Sequence, residues 1–456
     1  MNVPPKTALA ALAHEAGGWT LDAVPEVVRE QARLCILDTV GCMIAGAATE
    51  EARLILACET PDGRTATATV AGTAERRSCE QAARINGYLG DVLELNDLIG
   101  GHASIGNVSA ALALAESLDT CGAALLEAVI HGIEITTRVY SSVYPSLKRY
   151  TAMGLVPVGI PSAIGVGAAC ARLLGLDETR RLHAMAIAGS LAGWCPAEVI
   201  FGDGGSVKPM LFGAQPAAVG IDAAQRAQAG MTGPVALLDS KLGYFATTSE
   251  AGVFDPAQWQ NRWALSAPRR KLHACCGYLH APVDAIGQLR AKYGHDLQGA
   301  MLEVRIAPYV VDAVSKSAPP SSPNDARFHL QYCAALALCG ADAIEPAHSI
   351  AIERHLARPE VAAAMARVRV VADPALVHYH GCRVSFEDAQ GCRHEQAVNA
   401  PRGAPDAPLS DTEVTDKFMR LATPVIGECA ARAFADAVAS VEQMPSVARL
   451  MQMVAL

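Results

Sequence analysis

"ELNDLIGGHASIGNVSAALALAE", residues 94–116, places Glu94, Asn96, Asp97 and His102 at the mouth of a run that is otherwise small and apolar. The run keeps helical spacing through residues 109–118, and its alanines are strong helix formers. Little side-chain bulk on such a helix lets neighbouring helices come close. That composition points to tightly packed helices rather than a β-sandwich. The whole chain shares the bias: 456 residues, 51% hydrophobic, only 5% aromatic and 18% charged, with mean hydropathy +0.21. A chain of this length has ample capacity for a buried core and suggests two or three domains.

Working outward, helical spacing recurs over residues 27–44, 79–95 and 161–176, the last ending near Gly175. Asp177 then serves as N-cap for residues 178–194. No alternating strand stands out before residue 265. After Pro268 the pattern changes. Residues 299–308, 365–373, 376–388 and 393–399 alternate as strands do, the last two as a hairpin, with helices expected over 281–294 and 326–338. Residues 400–411, "APRGAPDAPLSD", read as a linker, and 411–454 as helix. The expected fold is mainly α: a large helical domain from residues 1–265 and 404–456, and a smaller α+β lid domain from 266–403.

The formal charge of −9 and the lack of a basic stripe beyond "RRK" (269–271) argue against a nucleic-acid partner. The N-terminus lacks signal-peptide organisation, and no uninterrupted apolar run reaches membrane-spanning length. Fourteen cysteines without a CxxC argue against a zinc ribbon, a redox dithiol or an iron–sulfur cluster. The reading is a cytoplasmic protein with no membrane partner, no metal and no cofactor. Cys275 and Cys276 read as packing or wall. His378 and His380 lack a third ligand at supporting spacing and read as one face of a strand.

Seven blocks, in order, resemble the MmgE/PrpD family: "LDTVGCMIAGA" (37–47), "RINGYLGDVLELNDL…GHASIGNVSAALALAE" (84–116), "CARLLGLD" (170–177), "VKPMLFGAQPAAVG" (207–220), "KLHACCGYLHAPVDAIG" (271–287), "ARFHLQYCAALAL" (326–338) and "PRGAPDAPLSD" (401–411). The family includes 2-methylcitrate dehydratase, cis-aconitate decarboxylase and iminodisuccinate epimerase. The resemblance implies a homodimer and a small carboxylate substrate. It sets His102 on the family histidine, Glu94, Asn96 and Asp97 on its acidic cluster, and Lys208, Lys271, His280 and Tyr332 on further site positions. Leu98 and Val156 stand where the family pattern is polar.

On that basis His102, Lys208, Lys271, Glu94 and Asp97 are the expected catalytic residues, with Tyr332, His280 and Asn96 binding substrate. His102 has the pKa range for moving a proton at a carbon next to a carboxylate. Glu94 or Asp97 would orient it. The lysines and Tyr332 would meet the substrate carboxylates. The implied reaction is loss of water from a small di- or tricarboxylate without a cofactor. Epimerisation or isomerisation, decarboxylation, and a non-catalytic or repurposed member are the alternatives.

Overall fold

The computed structural model describes residues 7–203, 205–297 and 299–456. Helices dominate, and the longest are Glu26–Ala47 and Gly122–Ser141. The opening stretch becomes the helix Ala103–Ser117, whose residues 103–116 are all buried. Small residues explain how it can be enclosed. Asn107 on this helix donates to Ala103 O at 2.7 Å and to Thr136 Oγ1 at 2.9 Å. A methyl added at Gly132 would lie 2.0 Å from Asn107 Oδ1, so glycine there lets the two helices approach. The Ile160–Leu173 helix ends as expected, with Gly175 at φ 66° and Leu176 N–H returning to Ala171 O. Asp177 caps the next helix by accepting from Arg180 N.

Two hydrophobic clusters form. One joins residues between Ala8 and Ala274 to the tail, from Phe418 to Val454. The tail helix Asp411–Ile426 lies on Glu26–Ala47, where a methyl on Gly41 would come within 3.0 Å of the Phe418 ring. The second cluster gathers residues 275–398 with Ile105, Tyr150, Val156 and Phe212. It holds a four-stranded sheet in the order Val368–Ala372, Leu302–Ile306, Cys382–Glu387, Arg393–Val398. The first pair is parallel and the other two antiparallel, with Glu387 opposite Arg393 at the expected hairpin. Among the described residues no single helix is long and apolar enough to cross a membrane.

The structure corrects three expectations. Residues 376–381 are a turn, not the start of a strand. Asp373 Oδ1 accepts Ala375 N, and His378 Nδ1 accepts His380 N, so side chains take the backbone donors a ladder would need. His378 and His380 therefore do not share a strand face; their rings meet at 4.3 Å. The helix expected over 326–338 is broken, because His329 Nδ1 accepts Tyr332 N and caps a new helix, Leu330–Leu338. In the first half, Ala68–Thr69 and Arg76–Arg77 form a two-residue antiparallel pair.

Candidate active site

The helix Cys79–Asp91 ends where the polar segment begins. The chain from there to Ala103 turns through four left-handed residues: Glu94 (φ 52°), Gly100 (49°), Gly101 (69°) and His102 (74°). At Gly101 a methyl would strike the Tyr140 ring at 2.8 Å, so this close approach requires glycine. Left-handed backbone at Glu94 and His102 is strain of the kind that clusters at functional sites.

Asp91 and Glu94 face two buried lysines. Lys208 Nζ donates to Asp91 Oδ1 and Oδ2 at 2.9 and 2.8 Å and also to Glu94 Oε1. Lys271 Nζ donates to Glu94 O at 3.0 Å and to Glu94 Oε2. The placement of Lys208 follows from glycine packing. A methyl at Gly87 would lie 2.6 Å from Gly213 O, so the π-helical turn Met210–Ala214 sits directly on the Cys79–Asp91 helix. Burial alone would raise the Glu94 carboxyl, but Lys208 and Lys271 outweigh it and hold it well below the usual range. At Asp91 burial, helped by the Glu94 charge, outweighs Lys208 and Lys271, and its carboxyl is raised. The quartet is formally neutral.

Asn96 connects this quartet to the histidine. Its Nδ2 donates to Asp91 Oδ1 at 3.2 Å, which turns its Oδ1 toward His102 Nδ1, also at 3.2 Å. An amide oxygen only accepts, so Nδ1 carries the proton and Nε2 is left with a basic lone pair. Burial lowers the His102 pKa well below 6.5, with Lys271 and Lys208 adding to the effect and Glu94 opposing it. His102 is thus a neutral imidazole at neutral pH. It and Glu94 line a cavity of 420 Å³.

Five of the eight expected residues come together here: Glu94, Asn96, His102, Lys208 and Lys271. The other three take no part in these hydrogen bonds. Asp97 lies behind the loop, where Oδ1 accepts Ile99 N and burial pushes its carboxyl up to about 6. His280 is within hydrogen-bond reach of Cys275 O and packs on His273 at 4.9 Å. Tyr332 donates its hydroxyl to His348 O at 2.6 Å, as a core tyrosine does. The lysines differ from expectation too: their charges are taken up by Asp91 and Glu94, and neither lines the cavity.

The cations that do line it are Arg262 and Arg269. Among the described residues neither has a carboxylate within ion-pair distance; Arg269 donates to Tyr379 Oη and lies over its ring. Lys417 was also hidden in the sequence. It comes from the tail helix, pairs with Asp38 at 2.7 Å, and donates to Leu95 O and Lys271 O, pinning both site segments. Cys276 is part of the wall, as expected. Among the described residues no group of three or more His, Cys, Asp or Glu could hold a metal ion.

Comparison with known proteins gives two family matches, MmgE/PrpD N-terminal domain over residues 10–257 and MmgE/PrpD C-terminal domain over residues 273–443. The chain is 24% identical to a cis-aconitate decarboxylase-like protein, oryM, of Aspergillus oryzae, covering 100% of this chain and 99% of the relative. It is likewise 24% identical to a cis-aconitate decarboxylase of Aspergillus terreus, covering 97% of this chain and 95% of the relative. Matched along both halves, this chain belongs to the MmgE/PrpD family.

Proposed function

We propose that the chain is a lyase acting on a small carboxylic acid, with neutral His102 as the base. The observation that carries this reading is a buried, neutral imidazole, oriented by Asn96, on a cavity also lined by two arginines that have no carboxylate partner among the described residues. A substrate carboxylate pairs with Arg269. His102 Nε2 takes the proton from the adjacent carbon, and the electron pair forms the new C=C bond as the C–O bond at the next carbon breaks. The imidazolium returns that proton to the departing hydroxyl, so the net product besides the alkene is water. The field of Lys208 and Lys271, which already disfavours positive charge on His102, favours the negative charge that develops on the substrate.

A second reading, decarboxylation, is favoured by the names of the relatives. There the C–C bond to a carboxylate breaks, carbon dioxide leaves, and the carbon takes a proton that His102 has drawn from solvent, the substrate's negative charge favouring the imidazolium. Incubation with citrate, 2-methylcitrate, cis-aconitate, malate and 2-butylmalate in deuterium oxide, followed by NMR and gas release, tests both. Alkene formation from a hydroxy acid supports elimination, and carbon dioxide supports decarboxylation. Deuterium entry without either indicates epimerisation. No change in any acid at high enzyme concentration counts against the lyase reading.

A further inference from the structure

The cavity walls point to a kind of substrate that the reaction alone does not specify. Only 5% of the chain is aromatic, yet five of its ten tyrosines and two of its four tryptophans line this one cavity. The tyrosines are Tyr140, Tyr144, Tyr150, Tyr278 and Tyr379. Four of their hydroxyls are engaged within the protein. Tyr144 Oη meets His378 Nε2 at 3.1 Å, Tyr150 and Tyr278 bond each other, and Tyr379 accepts from Arg269. These rings also pack on one another, Tyr140 on Tyr144 at 5.5 Å and Tyr278 on Tyr379 at 5.0 Å. With the polar ends occupied, the wall offers a ligand mostly ring carbon. Leu98 and Val158 extend the same surface.

Charge and size agree. The floor quartet of Asp91, Glu94, Lys208 and Lys271 is neutral, so Arg262 and Arg269 are the cations left to a ligand among the cavity-lining residues. Two guanidiniums balance two carboxylates, not three. A volume of 420 Å³ falls in the range, about 300–1,000 Å³, of pockets that take drug-sized ligands. A six-carbon acid would leave much of it, and most of the aromatic wall, unfilled.

We infer that the substrate carries no more than two carboxylates and an apolar tail, alkyl or aryl, that lies on the tyrosine wall. This rests on the reading of the cavity as a carboxylate site. The test is calorimetric binding to the intact protein of succinate, 2-butylsuccinate, 2-octylsuccinate, 2-phenylsuccinate and propane-1,2,3-tricarboxylate. Each methylene buried gains about fourfold in affinity, so butylsuccinate should bind about tenfold or more tighter than succinate. Tyr140→Ala should erase most of that gain, whereas Tyr140→Phe, which keeps the ring, should retain it.

Arg269→Met should weaken every acid. If it does so while affinity is flat from succinate to octylsuccinate, or if the tricarboxylate binds best, the tail inference is overturned and the carboxylate site stands. If no acid binds, or Arg269→Met changes none of them, the carboxylate reading falls and the tail with it.

Discussion

Beneath the cavity, behind a floor where Glu94 and His102 line it, two lysines and two carboxylates lie within hydrogen-bond reach of one another, and His102 is tied to them through Asn96. On the wall, five tyrosines contribute ring faces, and four of them direct their hydroxyls to protein partners. The floor is polar, buried and charge-balanced; the wall is mostly aromatic, with Arg262 and Arg269 as its charged groups. A floor of this kind fixes what is done to the substrate, because preorganised charge acts most strongly where water is excluded. A wall of this kind selects by shape and apolar area and leaves the reaction unchanged. On the proposed function, reaction type and substrate identity reside on different residues of one cavity, so that relatives would share the first and differ in the second.

The largest expected effect is at His102. His102→Gln keeps a donor but loses the base, and turnover should fall about 10²–10⁴-fold. Because burial holds the imidazole neutral, kcat/KM of the wild type should stay level as pH falls through 6.5 and decline only well below it. A loss of under tenfold, measured on any acid that is turned over, would move the proton transfer to another group and dissolve the contrast between floor and wall.

Next is the ion quartet. Lys208→Met leaves Asp91 and Glu94 buried with only Lys271 beside them. Breaking a buried pair in this way costs about 3–5 kcal/mol, which denaturant unfolding should report. The effect expected from the sequence was chiefly on substrate binding; the structure shifts it to stability. A change below about 1 kcal/mol would mean that water reaches the quartet and that the floor is not dry.

How much of this was readable in the sequence follows from distance along the chain. Asp91, Glu94, Asn96 and His102 fall within twelve residues, and Gly100 and Gly101 mark the turn that presents the histidine. A local cluster of that kind survives inspection, although Asp91 was passed over inside an apolar helical pattern. Lys208 and Lys271 were found only through the family resemblance. The wall was invisible because its rings come from residues 140–150, 259–263, 278 and 379, with no spacing to link them. Arg269 stands in "RRK" and Lys417 in the tail helix, with no spacing that links either to the site, yet Lys417 is only 1% exposed. Tyr332 shows the converse case. Its position in a family block suggested chemistry, and its hydroxyl serves the backbone of His348. The fold was easier. Small-residue helices and a late switch to alternation are averaged over many positions, whereas the turn at 376–381 depends on single side-chain bonds from Asp373 and His378.

A smaller effect is expected from Asp97, behind the floor. Burial raises its carboxyl from 3.8 to about 6. A carboxyl whose folded pKa is raised favours the protonated native state, so its contribution is full below 3.8 and is lost as pH rises through about 6. A shift of this size is worth up to about 3 kcal/mol. Asp97→Asn, neutral at every pH, should therefore gain stability relative to wild type as pH increases from about 4 to 6, and hold the gain at pH 8. Parallel unfolding curves for the two proteins across that window would show that Asp97 is already solvated or paired.

The smallest effect is the sharpest test of the wall. Tyr144→Phe removes one hydroxyl and keeps the ring. The hydrogen bond to His378 is lost, and a single such bond is worth about 1 kcal/mol of stability. Because burial raises the Tyr144 hydroxyl pKa far above its usual 10, the group cannot serve as a base at any pH the protein tolerates. It could still donate a proton, and that is what the variant examines. If the wall only shapes the substrate, kcat/KM for Tyr144→Phe should stay within about threefold of wild type, the size of an effect that reaches the substrate only through small shifts in packing. A drop in kcat of a hundredfold with KM unchanged would assign this hydroxyl to the transition state. The wall would then share the chemistry with His102, and relatives differing at this tyrosine would be expected to differ in reaction as well as in substrate.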